Sequence, residues 1–391
     1  MPDATCPACA GSSLRIFHNQ DRVPSNSCLL LTSETEASAF PTGSIELAFC
    51  EDCGFITNTQ FDAELAEYSD RYDATQAFSE RFVTFASALA REWVDRHDLV
   101  GKTVLEIGCG ETGDFLMMMA EAGIGRGIGI DPAVHPERIQ GEASDRLEWI
   151  TDFYSSEHGA LDADAIVCRH TLEHIAPVRD FLGTVRAAIG DRLDTVVLFE
   201  LPDTQRVLDE VAFWDVYYEH CSYFSAGSLV RLFEQEGFQV TNLELAYDDQ
   251  YLILDAKPIA PGEMPVPWTV DDMAALRIGV DHYRVAYGDT ITSWSTRLRR
   301  LAGEGGTAVI WGGGSKGVSF LSAVGDDVAA AVDINPNKQG MFMAGTGHRI
   351  IAPADLAQLE PDLVIAMNSV YLQEIQTELD SLGIEATLEG L

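Results

Sequence analysis

The stretch of residues 101–132, GKTVLEIGCGETGDFLMMMAEAGIGRGIGIDP, constrains the fold more than any other part of the 391-residue chain. Its apolar runs and glycines predict, in order, a buried strand (104–107), a tight turn (Gly108, Gly110, Gly113), a helix (114–123) and a second strand (127–130). Such a unit is the nucleotide-binding half of a doubly wound parallel sheet. Asp131 follows the second strand, where a carboxylate can accept hydrogen bonds from both hydroxyls of a ribose. The sequence therefore predicts an α/β fold with a nucleotide cofactor at this turn.

The spacing of these glycines suits two classes of cofactor, a nicotinamide dinucleotide and S-adenosylmethionine (SAM). Glu106 lies two residues before the first glycine, where a carboxylate repels a pyrophosphate but attracts the ammonium group of SAM. We therefore favour SAM over a dinucleotide, and a glycine-rich turn without any ligand is the third interpretation. Asp152 and Phe153 follow the next predicted strand, where they can meet an adenine. The predicted cofactor-binding residues are Glu106, Gly108, Gly110, Gly113, Asp131, Asp152 and Phe153.

Charge and composition exclude several classes of protein. The chain has 62 acidic and 25 basic residues, and the formal net charge of −37 repels nucleic acids and anionic membranes. Because only four of the basic residues are lysines, the acidity is also typical of adaptation to high salt, although an ordinary acidic protein is an equal alternative. No apolar run approaches the length of a membrane span, and residues 1–10 lack the basic and apolar regions of a signal peptide. We therefore expect a soluble, cytoplasmic protein of two or three domains that binds neither nucleic acid nor membrane.

Two pairs of cysteines near the start of the chain predict a metal site. Cys6 and Cys9 form one C-x-x-C pair, and Cys50 and Cys53 form the other. Each pair lies in a turn that can present two thiolates, and together they can bind one zinc ion tetrahedrally. Four thiolates leave no open coordination position, so the zinc is expected to be structural rather than catalytic. The segment has few lysines or arginines, which favours a role in folding over one in binding nucleic acid.

Residues 61–100 are predicted to be helical and to lead into the first strand of the sheet. Tyr68 and Tyr72 are four residues apart and would share one face of such a helix. Tyrosines at this spacing are typical packing residues, and a catalytic role is the alternative.

The run HTLEH, from His170 to His174, follows a predicted strand (163–169). The alternation of strands and helices after Asp131 predicts a parallel sheet, whose ligands gather at the carboxyl ends of its strands. As metal ligands the two histidines would need a third partner. We therefore favour a catalytic or substrate-binding role for them, with structural histidines as the alternative.

The segment of residues 213–225, FWDVYYEHCSYFS, follows another predicted strand end and contains six aromatic residues. The aromatic residues alone would indicate a lid packed over the core. However, Glu219 and His220 stand beside Tyr217 and Tyr218, which places a titratable base in an apolar, water-poor cleft. This arrangement is what proton abstraction next to a carbonyl group requires, so the segment is predicted to be functional.

The last part of the chain repeats the pattern of the first glycine loop. After a proline-rich linker (258–267) and a long helix (271–302), a strand leads into Gly312-x-Gly314-x-x-Gly317, and a second strand ends near Asp333. No acid precedes this loop. Lys316 lies within it and Lys338 follows Asp333, so the loop suits the phosphates of a nucleotide, with a ligand-free Rossmann-like scaffold as the alternative. The predicted domains are residues 1–60, 61–260 and 261–391.

In this order of parts the chain resembles the three-domain, SAM-dependent sugar C-methyltransferases. The resemblance is carried by the four paired cysteines, by HTLEHI and YYEHCSYFS in the central domain, and by GGGSKG and VDINPNKQG in the last one. It covers essentially the whole chain. It implies a zinc-binding N-terminal domain, a class I methyltransferase domain and a C-terminal Rossmann-like domain.

The resemblance also implies the reaction and the roles of individual residues. The substrate would be a nucleotide-linked keto-deoxysugar, with thymidine diphosphate (TDP) as the nucleotide, and the protein would serve deoxysugar biosynthesis. His220 would remove the proton next to the ketone, Glu219 and Tyr217 would orient His220 or the sugar, and His174 and Tyr72 would stabilise the enolate oxygen. The expected substrate-binding residues are His170, Tyr218, Gly314, Lys316, Asp333 and Lys338. A monomer or a homodimer is expected.

Three features depart from the family pattern. The first glycine loop has one additional residue before Gly113, His170 replaces a common asparagine, and Asp248-Asp249-Gln250 replaces a glycine-rich element. Two other functions therefore remain as alternatives: an O- or N-methyltransferase on the same fold, and an NAD-dependent or redox-neutral nucleotide-sugar enzyme.

Overall fold

The computed structural model describes residues 5–66, 71–139, 141 and 143–391. The chain forms three β-sheets, of four, seven and five strands. Among the described residues, no helix combines the length and the apolar character needed to cross a membrane.

The N-terminal sheet has four antiparallel strands, three of which come from the first 58 residues. The elements are β1 (Leu14–Pro24), α1 (Glu34–Ser38), β2 (Thr42–Cys50) and β3 (Ile56–Asn58). The fourth strand, Ser222–Tyr223, comes from the central part of the chain and pairs with β3. The residues that directly follow His220 therefore complete the N-terminal sheet, and the first two domains are joined at the predicted catalytic segment.

The central sheet has seven strands in the order β10-β11-β8-β7-β4-β5-β6. Its strands are β4 (Thr103–Ile107), β5 (Arg126–Ile130), β6 (Leu147–Ile150), β7 (Ala165–Arg169), β8 (Val196–Pro202), β10 (Phe238–Ala246) and β11 (Tyr251–Pro258). Strand β9 (Ser222–Tyr223), which lies between β8 and β10 in the chain, is the fourth strand of the N-terminal sheet. The helices are α2 (Glu80–Arg96), α3 (Asp114–Ala122), α4 (Val178–Ile189), α5 (Thr204–Asp209) and α6 (Ala226–Gln235). Strands β4 to β8 are parallel, and β11 and β10 form an antiparallel edge. The predicted doubly wound sheet with an antiparallel edge is confirmed.

One prediction in this region was wrong. Helix α2 begins only at Glu80, where the Ser79 hydroxyl accepts a hydrogen bond from the Phe82 amide and caps the helix. Tyr72 is not helical, because its backbone forms an antiparallel bridge with Leu29. Tyr68 lies outside the described residues.

The C-terminal sheet has five parallel strands in the order β14-β13-β12-β15-β16. The elements are α7 (Met273–Gly303), β12 (Ala308–Trp311), α8 (Ser315–Val324), β13 (Ala330–Val332), β14 (Ile350–Ile351), α9 (Leu356–Leu359), β15 (Leu363–Ala366), α10 (Leu372–Leu382) and β16 (Thr387–Gly390). The all-parallel sheet confirms the predicted Rossmann-like domain.

One hydrophobic core is shared by all three parts of the chain. It contains Phe49 of the N-terminal sheet, Phe213 of the predicted catalytic segment, Tyr283 of α7 and Phe320 of α8. The rings of Phe213 and Phe320 stack with their centroids 5.8 Å apart. The predicted catalytic segment is thus fixed on both sides by apolar packing, which limits its freedom to move as a lid.

Candidate active site

The first glycine loop leaves β4 with three glycines in the left-handed region, which favours glycine at all three positions: φ is +73° at Gly108, +70° at Gly110 and +57° at Gly113. The surroundings of the last two differ. A Cβ atom on Gly113 would lie 2.2 Å from the Trp149 ring, whereas none of the described atoms lies within 4 Å of the same position on Gly110. Gly113 is therefore required for packing. Gly110 forms an open backbone surface that a ligand can approach closely.

Two acids flank this open surface, and both are held by the fold. Asp131 Oδ2 accepts a hydrogen bond from the Gly110 amide (3.0 Å), and Oδ1 accepts one from the Ala133 amide (2.7 Å). Glu106 is buried, and its Oε2 has no hydrogen-bond partner among the described residues. Burial raises the pKa of Glu106 to about 8. A buried carboxyl oxygen without a partner beside an open glycine loop fits the ammonium group of SAM, and Asp131 fits its ribose.

Asp152 and Phe153 follow β6 at the same edge of the sheet, as predicted from the sequence. The Phe153 side chain is 62% exposed, which is unusual for a phenylalanine. This location is consistent with a ring that covers an adenine.

Four of the predicted catalytic residues lie together beyond the ends of β7 and β8. The rings of His174 and His220 meet edge to face with their centroids 4.8 Å apart, and the Tyr217 ring lies 4.1 Å from His220. Burial lowers the pKa of His220 well below its usual value and also lowers that of His174. Burial raises the pKa of Tyr217 well above its usual value. At neutral pH the cluster therefore offers two neutral imidazoles, which can accept protons, and a phenol, which can donate one.

Glu219 completes this cluster and is held from the N-terminal domain. The Ser27 amide and the Ser27 hydroxyl both donate to Glu219 Oε1, each at 2.6 Å. The Ser27 hydroxyl also lies 2.7 Å from the hydroxyl of Ser315, the first residue of α8. Burial raises the pKa of Glu219 to about 6, although the Ser27 hydrogen bonds oppose this. Ser27 therefore links Glu219 of the central part of the chain to Ser315 of the C-terminal part.

His170 lies at the end of β7 in an unusual conformation. Its φ of +45° is in the left-handed region, which is uncommon for a residue with a bulky side chain. Its ring nitrogens lie 3.3 Å from Glu200 and 3.7 Å from Glu173. Burial alone would lower the pKa of His170, but these two acids raise it to about 9. The imidazole is therefore positively charged at neutral pH, which suits an electron-rich oxygen of a substrate.

A small cavity lies beside this cluster. It is lined by residues that include Glu173, Asp203, Asp215, His220 and Tyr223, and its volume is about 20 Å³. That is enough for about one water molecule.

Two further predicted residues, Tyr218 and Tyr72, have apolar packing contacts. Tyr218 is completely buried and its hydroxyl is bonded to the backbone of Asp62, so packing accounts for its position, and its role in substrate binding stays a prediction. A Cβ atom on Gly43 would lie 2.1 Å from the Tyr218 ring, which shows how closely the two residues pack. The partly buried Tyr72 ring packs against Leu29 and Leu31.

The backbone of the second glycine loop is hydrogen-bonded to Asp333, the acid at the end of the neighbouring strand. The Gly313 amide donates to Asp333 Oδ2 (2.8 Å). Lys316 Nζ lies 3.0 Å from Asp215 Oδ1, so its charge is paired with the catalytic segment. Lys338 is buried, and no salt bridge joins it to another of the described side chains. Its Nζ lies 3.7 Å from the position of a Cβ atom on Gly314, so the ammonium is close to the loop backbone.

The four predicted metal ligands lie together. Cys6 Sγ and Cys53 Sγ are 3.7 Å apart, as are Cys9 Sγ and Cys50 Sγ, and all four sulfurs lie within 4.8 Å of one another. Tetrahedral zinc with bonds of about 2.3 Å would separate its sulfurs by about 3.8 Å. The thiol group therefore fits a zinc ion.

Sequence reasoning missed three residues that hold the site. Ser27 gave no local signal, because its partner Glu219 lies 192 residues away in the chain. Arg169 and Glu200 form a buried ion pair next to His170. Each is a charged residue at the end of an otherwise apolar strand, and that was the available signal.

Comparisons with known proteins find similarity to methyltransferases along most of the chain. A family model described as a methyltransferase domain matches residues 77–243, and one described as a C-methyltransferase C-terminal domain matches residues 282–385. C-methyltransferase NovU from Streptomyces niveus is 27% identical over 372 residues, which cover 88% of this chain and 85% of that protein. Ribosomal protein L11 methyltransferase from Yersinia pseudotuberculosis is 31% identical over 115 residues, which cover 27% of this chain and 38% of that protein.

Among solved structures, magnesium protoporphyrin IX methyltransferase (ChlM) from Synechocystis PCC 6803 with bound SAH is similar to part of the chain. It is 16% identical with a TM-score of 0.34, and the match covers 45% of this chain and 83% of that one.

The central sheet, the first glycine loop and the two family matches together establish the class of the protein. Strands β4 to β8 with the antiparallel β11 and β10 form a class I SAM methyltransferase fold, and the matched methyltransferase domain covers most of it. The second match covers most of the C-terminal sheet. The chain is therefore a methyltransferase, and its last part matches a C-methyltransferase C-terminal domain.

Proposed function

We propose that this methyltransferase methylates the carbon next to the ketone of a nucleotide-linked keto-deoxysugar, with TDP as the nucleotide, through an enolate. The observation that carries the proposal is the cluster of the buried His220 and Glu219 with the partly buried His174 and Tyr217 at the strand ends of the methyltransferase domain. A C-methylating enzyme must remove a proton from carbon, and this cluster holds a neutral base in an apolar site.

His220 is the proposed base. Because burial keeps its imidazole neutral, it can take the α proton, while Tyr217 lies against its ring and Glu219 directly precedes it in the chain. A ketone is a weak carbon acid, so the developing oxyanion must be stabilised in the same step. We assign this role to His174 and Tyr72 and place the positively charged His170 at another oxygen of the sugar.

SAM, when bound, supplies the electrophilic methyl group. Glu106 would hold its ammonium group, Asp131 its ribose and Phe153 its adenine. Gly108, Gly110 and Gly113 turn the backbone so that the cofactor can lie against it. Asp152 is proposed to support the adenine at the same edge.

The nucleotide of the substrate is proposed to bind the C-terminal loop at Gly314, Asp333 and Lys338. Lys338 suits a phosphate best, because it is a buried ammonium close to the loop backbone. Lys316 would contribute less charge, since Asp215 already pairs with it. We also propose domain boundaries at residues 60 and 260 and a cytoplasmic location.

A zinc ion bound by Cys6, Cys9, Cys50 and Cys53 is proposed to stabilise the N-terminal domain. Four sulfur ligands close the coordination sphere, so the metal would take no part in methyl transfer. Metal analysis of the purified protein should find one zinc per chain, and a chain of unchanged stability without zinc would disprove this role.

The test of the reaction is proton exchange in heavy water. Without a methyl donor, the wild-type protein should exchange the α proton of a TDP-linked keto-deoxysugar, as followed by NMR. His220→Ala should slow the exchange by a factor on the order of 100 or more while S-adenosylhomocysteine (SAH) still binds. An O- or N-methyltransferase would bind SAH but catalyse no exchange, and an NAD-dependent enzyme would bind NAD instead.

A further inference from the structure

We propose that Arg169 binds the carboxylate group of the amino-acid end of SAM, so that Arg169 and Glu106 together form a site for an α-amino acid zwitterion. This inference rests on the proposed binding of SAM at the first glycine loop. It adds a cofactor-binding residue that was not among those predicted from the sequence.

The two residues lie on one face of the sheet. Glu106 is in β4 and pairs in register with Val167 of the neighbouring parallel strand β7, and Arg169 is two residues further along β7. Side chains alternate along a strand, so Arg169 shares the face of Val167, and Glu106 shares that of Val104. Val104 and Val167 belong to the same core cluster. Glu106 and Arg169 are thus neighbours at the carboxyl end of the sheet, where cofactors bind.

One nitrogen of the Arg169 guanidinium is hydrogen-bonded, and another has no hydrogen-bond partner among the described residues. Its Nε donates to Glu200 Oε2, and its guanidinium lies over the Phe115 ring, 3.9 Å from the centroid. Its Nη2 is buried without a hydrogen-bond partner in the described part of the chain. Phe115 is the second residue of α3, the helix that the glycine loop leads into. The unused nitrogen is therefore held close to the loop that is proposed to bind the cofactor.

A buried guanidinium and a buried carboxyl group that each have an unused polar atom are costly unless something binds them. Glu106 Oε2 and Arg169 Nη2 both lack a hydrogen-bond partner among the described residues, and the salt bridge of Arg169 is made with Glu200 instead of Glu106. A ligand that carries an ammonium and a carboxylate on the same carbon would satisfy both. An ordered water that bridges the two side chains is the structural alternative, and the test must separate the two.

The test compares two ligands that differ only in the amino-acid end. SAH has this end, whereas 5′-methylthioadenosine keeps the adenosine and the sulfur without it. Arg169→Lys keeps the positive charge near Glu200 but removes the fork that serves two partners. Arg231→Lys is the matched control, because Arg231 also pairs with one acid, Asp272, and donates to a backbone carbonyl, that of Cys53.

Calorimetry should show that Arg169→Lys weakens SAH binding by about tenfold and leaves methylthioadenosine within about twofold of wild type. Glu106→Gln should show the same selectivity, and Arg231→Lys should change neither affinity. Equal weakening of both ligands, or weakening of neither, would overturn the inference and leave Arg169 a packing residue. If Arg169→Lys lowers the melting temperature, the ratio of the two affinities still decides, because partial unfolding affects both ligands alike. A wild-type protein that does not bind SAH would refute the proposed function instead.

Discussion

The two glycine loops use the same backbone arrangement with different charges around it. In the first loop, the amides of Gly110 and Ala133 donate to the two oxygens of Asp131, at 3.0 and 2.7 Å. In the second loop, the amides of Gly313 and Asn335 donate to the two oxygens of Asp333, both at 2.8 Å. In both cases an acid at the end of the neighbouring strand fixes the turn.

The difference lies in the side chains that line each loop. The residue two positions before the first glycine is the buried Glu106 in one loop and the buried Ile310 in the other. Two lysines lie near the second loop, Lys316 within it and Lys338 beside it. The shared backbone thus indicates where a ligand binds, whereas a few charged side chains indicate which ligand it is. The predictions below test each half of this statement.

The largest effect is expected from adding a methyl group to the second loop. In Gly317→Ala the new Cβ would lie 2.3 Å from the Gly312 carbonyl oxygen, a backbone atom that cannot move aside cheaply. We expect a loss of about 3 kcal/mol in the free energy of unfolding, measured with guanidinium.

The matched change in the first loop should behave differently. Gly110→Ala meets no neighbouring atom but keeps a φ of +70°, so it should cost only about 1 kcal/mol. Its methyl group would occupy the surface proposed for SAM, and SAH binding should be lost. Wild-type SAH affinity in this variant would show that the open surface is not the cofactor site.

The next effect is the pH dependence of cofactor binding. Burial raises the pKa of Glu106 to about 8, with Arg169 opposing the shift and Asp114 and Asp131 adding to it. Below this pKa the empty site holds a neutral carboxyl group, which must lose its proton to pair with an ammonium. The affinity for SAH should therefore rise between pH 6 and pH 8, by up to about 50-fold, with release of a proton.

Calorimetry in two buffers of different ionisation enthalpy measures the number of protons that are released when SAH binds. Glu106→Gln is the control, since it removes the titrating group and should flatten the profile. A pH-independent affinity in the wild-type protein would contradict the assignment of Glu106 to the ammonium group.

The sequence predicts the fold well, because periodic apolar runs and glycines are local signals. The first β-α-β unit and the antiparallel edge strands are both recovered. The site is predicted less completely, because contacts between distant residues leave no local pattern. Tyr218 shares a segment with His220, yet its ring packs against Gly43 in the N-terminal sheet. Ser27 lies in a different domain from Glu219, and only the fold brings the two together.

The smallest effect separates the two lysines of the second loop. Lys338→Met removes a buried ammonium that has no salt bridge within the described structure, so TDP binding should weaken by roughly tenfold. Lys316→Met removes a charge that Asp215 already neutralises, so TDP binding should change by no more than about twofold. Titration with TDP and with SAH measures both variants, and SAH affinity serves as the internal control because it depends on the other loop. Equal losses of TDP affinity would mean that the pairing with Asp215 opens when the nucleotide binds, and the second loop would then act through both lysines.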